Sequence, residues 1–237
     1  MHDPVPPRHP RALFLHGAGA WGGQWAIWRR VFEAEGWCVD APDLQPVAAG
    51  IAATRLEDYV AQAAAMIAIA PRELVVGASL GGLIAVAGMA RRAPADRPPR
   101  LVLVNPLPPA PWIIDVPPSG AQADVVPWRS QGRFASTQRA LPGAVFADQL
   151  FAFRHWRDES AAVLREAHAG VVVPTLDVAT LVVTSEADEV IPPTASVAYA
   201  QGIGASLCRV PGGHVAPVMG ASAVAAARAA VVWLSRP

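Results

Sequence analysis

Six stretches of the chain are apolar almost throughout and short enough to be strands: 11–17 (RALFLHG), 37–43 (WCVDAPD), 73–77 (ELVVG), 100–106 (RLVLVNP), 179–186 (ATLVVTSE) and 205–212 (ASLCRVPG). Between them the apolar positions change to a three-to-four spacing. Segment 54–70 places Leu56, Tyr59, Val60, Ala63, Met66, Ile67 and Ala70 on one face of a helix. Segments 25–37, 82–92 and about 221–234 read as further helices. Strands without a polar face, separated by helices, must be covered on both sides. The pattern predicts an α/β fold, a mostly parallel central sheet with helices on both faces.

One stretch breaks this rhythm. Residues 106–175 open with PLPPAPWIIDVPPSG and then carry Trp128, Phe134, Phe146, Phe151, Phe153 and Trp156 among Pro, Gly and Arg. So many large apolar side chains argue for a folded insertion over a disordered loop. The expected organisation is a core of 1–105 and 176–237 with an inserted helical lid at 106–175.

Composition narrows the function classes. Nineteen basic and nineteen acidic residues cancel, removing any global attraction to nucleic acid or anionic membranes. Every basic residue is Arg, so no mechanism can use a lysine amine. Cys38 and Cys208 are the two cysteines; their strand-like surroundings predict buried free thiols, and their spacing suggests neither a metal site nor a disulfide framework. The N-terminal residues show no apolar signal region. The uncharged apolar run Leu74–Ala90 contains glycines and a serine and fits a strand, turn and helix better than a membrane span. The expectation is a cytoplasmic protein, with a homo-oligomer left open.

Within that run, Gly77-Ala78-Ser79-Leu80-Gly81 fits Gly-x-Ser-x-Gly with a strand before it and a helix after it. That context makes Ser79 a candidate nucleophile on a sharp turn, with glycines relieving the contacts such a turn creates. A serine needs a base, and the base needs an orienting carboxylate. His2 and His9 lie in the Pro-rich N-terminal tail, where solvent is the expected environment. His16 is placed to shape a turn, and His155 and His168 fall in the insertion. His214 in RVPGGHVAP follows the last strand on a glycine loop, at the sheet edge where sites in such folds form. After the fifth strand, TSEADEVIPP offers Glu186, Asp188 and Glu189; Asp188 leads, with Glu186 the fallback. Asp177 precedes its strand and belongs to the wrong edge. The amides of Leu80 and of Ala18, in HGAGAW after the first strand, are the candidate oxyanion donors. HGAGAWGG lacks the Lys-Ser/Thr ending of a phosphate loop, so nucleotide binding is not expected.

With these residues in place, the chain resembles an α/β-hydrolase-fold serine hydrolase with a helical lid. HGAGAWGGQW, EAEGWCVDAPDL and AAGIAATRLEDY are similar to the small-lid branch of methylesterases and hydroxynitrile lyases. Two departures stand out: Ala78 occupies a position often held by His, and APDLQPVAAG lacks the Arg-Gly-x-Gly turn that often follows Asp-Leu. GGHVAPVMG also lacks the lysine that hydroxynitrile lyases carry after the histidine. The resemblance implies hydrolysis of a small or medium, largely apolar carboxylic ester through an acyl-enzyme, with no metal or organic cofactor. Trp112, Trp128, Phe146, Phe151 and Trp156 would wall the substrate pocket. Thioesters, lactones and activated amides suit the same constellation. A non-hydrolytic lyase or a ligand-binding protein on the same scaffold stays open.

Overall fold

The computed structural model describes residues 9–117 and 123–236. In chain order the elements are β1 (Arg11–Leu15), α1 (Ala26–Ala34), β2 (Cys38–Asp40), α2 (Leu56–Ala68), β3 (Leu74–Ala78), α3 (Leu80–Ala90), β4 (Arg100–Val104), β5 (Val125–Val126), α4 (Phe134–Ala140), α5 (Phe146–His155), β6 (Glu159–Ser160), α6 (Ala161–His168), β7 (Ala179–Ser185), α7 (Pro193–Gly202), β8 (Ser206–Val210), α8 (Ala216–Met219) and α9 (Ala223–Leu234). The main sheet runs β2-β1-β3-β4-β7-β8, with every pairing parallel. β5 and β6 form a separate antiparallel ribbon.

The two-residue period of each strand builds two cores from one sheet. Leu13, Leu15, Val75, Leu101 and Leu103 face α2, α3 and α7. Ala12, Phe14, Val76, Val102 and Val104 face α1 and α9. On the second face Phe14, Trp25, Trp28 and Phe32 pack as edge-on and stacked rings. The indole of Trp28 donates to the Pro217 carbonyl at 2.7 Å, so the buried ring keeps its polar atom satisfied.

α1 covers one face and α3 the other, although they follow the adjacent strands β1 and β3. The chain therefore diverges at the C-terminal ends of these two strands, and the crevice that opens there is the place where such folds bind ligands.

The segment between β4 and β7 is less separate than the sequence suggests. Val163, Leu164 and Ala167 of α6 belong to the same core as α2 and α3. Ser160 caps α6 by accepting from the Val163 amide at 3.3 Å, and its hydroxyl donates to the Thr54 carbonyl at 2.7 Å. α5 sits elsewhere, on a small cluster of Ala20, Trp21, Leu141 and Ala152.

The cysteines depart from expectation: Cys38 is exposed and Cys208 half-buried. β2 and β8 are the edge strands of the sheet, and an edge strand keeps one flank in water. His9 is hydrogen-bonded to the Gly36 carbonyl at 3.0 Å, while His2 lies outside the described residues. Among the described residues, no helix is long and apolar enough to cross a membrane.

His16 shapes its turn, as its position suggested. Its Nδ1 donates to the Gly17 carbonyl at 2.8 Å and its Nε2 accepts from the Leu44 amide at 2.9 Å. This uses both nitrogens of a neutral ring, and burial lowers its pKa from 6.5 to about 4. The unfolded chain binds this proton below pH 6.5 and the folded chain does not, so stability falls as pH drops from 6.5 toward 4. The expected contribution is about 3 kcal/mol over that window. It is read as the extra pH dependence of the urea midpoint in wild type over His16→Gln; equal slopes would contradict it.

The turn between β3 and α3 gives a second prediction. A Cβ on Gly81 would lie 2.4 Å from the His16 carbonyl oxygen and 2.5 Å from that of Leu15. Both are backbone atoms of β1 and its exit and cannot swing away. Gly81→Ala is expected to destabilise by about 3 kcal/mol in urea unfolding, and a loss within error of zero would contradict the close approach.

Candidate active site

Ser79 stands between β3 and α3 at φ +52°, ψ −123°, a conformation L residues rarely adopt. Its backbone is tied on both sides. The amide donates to the Val104 carbonyl at 3.0 Å, and the carbonyl accepts from the amides of Gly82 at 2.9 Å and Leu107 at 3.0 Å. Gly77 permits the turn, since a Cβ there would meet the Gly81 carbonyl oxygen at 2.4 Å. The strained backbone is thus over-determined by its neighbours, which hold the side chain out above the sheet edge.

Loops from β7 and β8 bring the partners. Ser79 Oγ lies 2.9 Å from His214 Nε2, and His214 Nδ1 lies 2.8 Å from Asp188 Oδ2. The other carboxylate oxygen of Asp188 accepts from the amides of Val190 at 2.8 Å and Ile191 at 2.9 Å. The carboxylate side chain is fully buried and the imidazole has 17% of its surface exposed, so one end of this chain is fixed and the other opens to the cleft. Glu186 is exposed, and Asp188 takes the position for which it was the fallback.

Asn105, unflagged by the sequence pattern, ties three strand ends together. Its Nδ2 donates to Ser185 Oγ and to the His214 carbonyl, each at 2.8 Å, and its Oδ1 accepts from the Ser185 amide at 2.7 Å. Like Ser79 it has a positive φ, +42°. Its one sequence signal is a polar residue closing the apolar run LVLVN.

The two candidate oxyanion amides flank the serine. As the first residue of α3, Leu80 has an N–H with no acceptor inside the helix. The loop carrying Ala18 abuts the serine, since a Cβ on Gly17 would lie 3.2 Å from Ser79 Cβ. In a trans peptide the carbonyl and the next amide point opposite ways. The Gly17 carbonyl is occupied by His16 and by the Ala20 amide at 3.3 Å, which turns the Ala18 amide to the other side, without an acceptor among the described residues.

The cleft at Ser79 is lined by Ala18, Ala20, Ala78, Val104, Val215 and Val218, with Gln24 and Trp156. It holds about 380 Å³ of empty space including its open mouth. Gln24 is buried and its amide nitrogen has no partner in the described protein.

Of the five aromatic residues expected to wall this cleft, Trp156 does. Trp112 does not. Its ring packs on Tyr199 at 5.1 Å and lines a separate small pocket with Val86, Leu101 and Ile203, because the start of the insertion folds back onto α7. Trp128 is 42% exposed and lies against Gly19. Phe146 is 64% exposed and packs on Phe134, while Phe151 is half exposed beside Trp21 and His155. Among the described residues, no group of three His, Cys, Asp or Glu side chains could hold a metal ion.

The fold has solved counterparts at low sequence identity. A polyneuridine aldehyde esterase mutant superposes with a TM-score of 0.72 at 14% identity, covering 97% of this chain and 100% of the other. A pyrethroid hydrolase from Sphingobium faniae JZ-2 gives 0.72 at 19% identity, covering 96% and 98%. Tomato methylketone synthase I complexed with 2-tridecanone gives 0.71 at 13% identity, covering 97% and 100%. No curated protein sequence matches the chain. The family model described as "Alpha/beta hydrolase family" matches residues 12–228, from the second residue of β1 into α9, and with it the sheet order and the serine at the β3–α3 turn place the protein: the chain belongs to the alpha/beta hydrolase family.

Proposed function

We propose that the protein is a serine esterase that cleaves small or medium, largely apolar carboxylic esters through an acyl-enzyme on Ser79. The observation that carries this reading is the continuous chain Ser79–His214–Asp188, with hydrogen-bond distances of 2.9 and 2.8 Å, opening into an apolar cleft. His214 Nε2 takes the proton of Ser79 Oγ as the oxygen attacks the ester carbonyl. Asp188 keeps the Nδ1–H tautomer and stabilises the imidazolium. Its own orientation is fixed by the Val190 and Ile191 amides.

The tetrahedral oxyanion would lie between the amides of Leu80 and Ala18, where a lost donor costs about 3–4 kcal/mol of transition-state stabilisation. Collapse expels the alcohol, which takes the proton from His214. Water then enters, gives its proton to His214 and releases the acid, restoring Ser79. The alanine and valine walls favour an apolar substrate portion. The segment between β4 and β7 acts as the lid in this reading, with Trp156 its contribution to the cleft wall. Besides water, the reaction requires a small-molecule ester as its partner.

The test is turnover of p-nitrophenyl esters of increasing acyl length, with fluorophosphonate labelling, in wild type and Ser79→Ala. Labelling should vanish in the variant and kcat should fall by about 10⁴-fold or more, with short and medium acyl chains preferred by wild type. A variant that retained turnover would point to a lyase-type use of His214. A wild type that bound esters but neither turned over nor labelled would point to a binding protein.

A further inference from the structure

One buried carboxylate takes no part in the chemistry above. Glu159, the first residue of β6, is 4% exposed. Its Oε2 accepts from the Gly19 amide at 3.0 Å, and its Oε1 accepts from the Tyr59 hydroxyl at 3.1 Å and from the Ser160 amide at 2.8 Å. Two residues earlier, the Arg157 amide donates to the Gly19 carbonyl at 2.7 Å. Both polar groups of Gly19 are therefore held by the short stretch 157–159. Trp128 closes a further side, standing where a Gly19 side chain would have to go.

Such effort at one glycine has a geometric reason. The orientation of the Ala18 amide depends on the peptide planes around it. His16 fixes the plane between Gly17 and Ala18 through the Gly17 carbonyl. Glu159 fixes the next plane through the Gly19 amide, and Arg157 the one after through the Gly19 carbonyl. Gly19 has φ +63°, a region open to glycine but costly for other residues, so the bend itself carries no strain. Burial raises the pKa of Glu159 and is the largest effect on it; the Gly19 and Ser160 amides, the Tyr59 hydroxyl and the Arg157 charge act to lower it and offset part of that cost. Arg157 in turn faces Asp43 at 3.6 Å, and Asp43 accepts from the Gly22 amide at 2.7 Å at the other end of the same loop.

We propose that Glu159 is a positioning residue for acyl transfer: by clamping Gly19 it aims the Ala18 amide at the oxyanion, so the β6 segment of the insertion completes the site from a distance. This rests on the serine esterase reading. A carboxylate suits the task because it can accept from three donors at once. The carboxamide of a Gln has a single acceptor oxygen, and an aliphatic side chain has none.

The experiment compares wild type, Glu159→Gln and Glu159→Leu with p-nitrophenyl butanoate and with a trifluoromethyl ketone, whose serine adduct carries an oxyanion. Glu159→Gln is expected to lower kcat by about 10-fold and Glu159→Leu by about 100-fold, a misaimed donor costing less than an absent one. KM should stay within about two-fold, and trifluoromethyl ketone affinity should weaken in step with kcat/KM. A purely structural role would lower the urea midpoint and leave these ratios unchanged. Overturning results are a folded Glu159→Leu with wild-type kcat, or a kcat loss with undiminished ketone affinity. If Glu159→Leu does not fold, Glu159→Gln decides by the same two readouts. A wild type inert to both the ester and a fluorophosphonate would sink the esterase reading, and this proposal with it.

Discussion

Everything at the sheet edge follows from one backbone constraint, the positive φ of Ser79. An L residue in that region carries strain of about 1–3 kcal/mol, and the chain leaves it unless several contacts oppose the move. Here β4 and the residues just after it supply them: the Val104 carbonyl holds the serine amide, and the Leu107 amide holds its carbonyl. The turn must pass so close to β1 that Gly81 touches the carbonyls of Leu15 and His16. The same approach brings the loop after β1 against Ser79. A turn that strains the serine therefore also delivers a second backbone amide beside it.

Once the serine is fixed, the other groups must meet it to within a few tenths of an ångström, and the structure secures each from two directions. Asp188 is held by amides on its own loop and by His214. The His214 carbonyl is held by Asn105, which also grips the end of β7. The Ala18 loop is held by His16 from beneath and by residues 157–159 from the insertion. These fasteners are buried polar groups, and each would cost about 1–3 kcal/mol if left unpaired. They are satisfied by one another, which turns that cost into a penalty against any other arrangement.

The strands and the site residues carried unequal signals. Short runs such as LVVGA and LVLV are apolar at every position because both sheet faces are covered, so they were legible without a tertiary model. Ser79, Asp188 and His214 were legible because each stands in a local setting that only a strand exit explains. Asn105 and Glu159 gave no such signal, since each acts through atoms far away in sequence: Glu159 reaches Gly19 across 140 residues. α7 was missed because its own residues are mostly small, on the buried and the exposed face alike, leaving no periodic contrast. Trp112 was misassigned because an aromatic residue in an insertion can face the cleft or the core equally well. Only the fold-back of the segment onto Tyr199 decides between them.

That asymmetry bears on how the site is assembled. The Ser79 turn is built from residues 74–107, close in sequence and backed by the sheet. The grip on the Ala18 loop depends on a distant segment whose own ribbon, β5 with β6, is only two residues long on each strand. A ribbon that short cannot hold itself; it is held by Ser160 reaching the Thr54 carbonyl and by α6 joining the core. The geometry of the Ala18 loop is thereby tied to docking of α6, although α6 lies outside the lining of the cleft at Ser79. In this reading the insertion contributes to the site less through the aromatic side chains that first draw attention to it than through one backbone amide, that of Arg157, and one buried carboxylate.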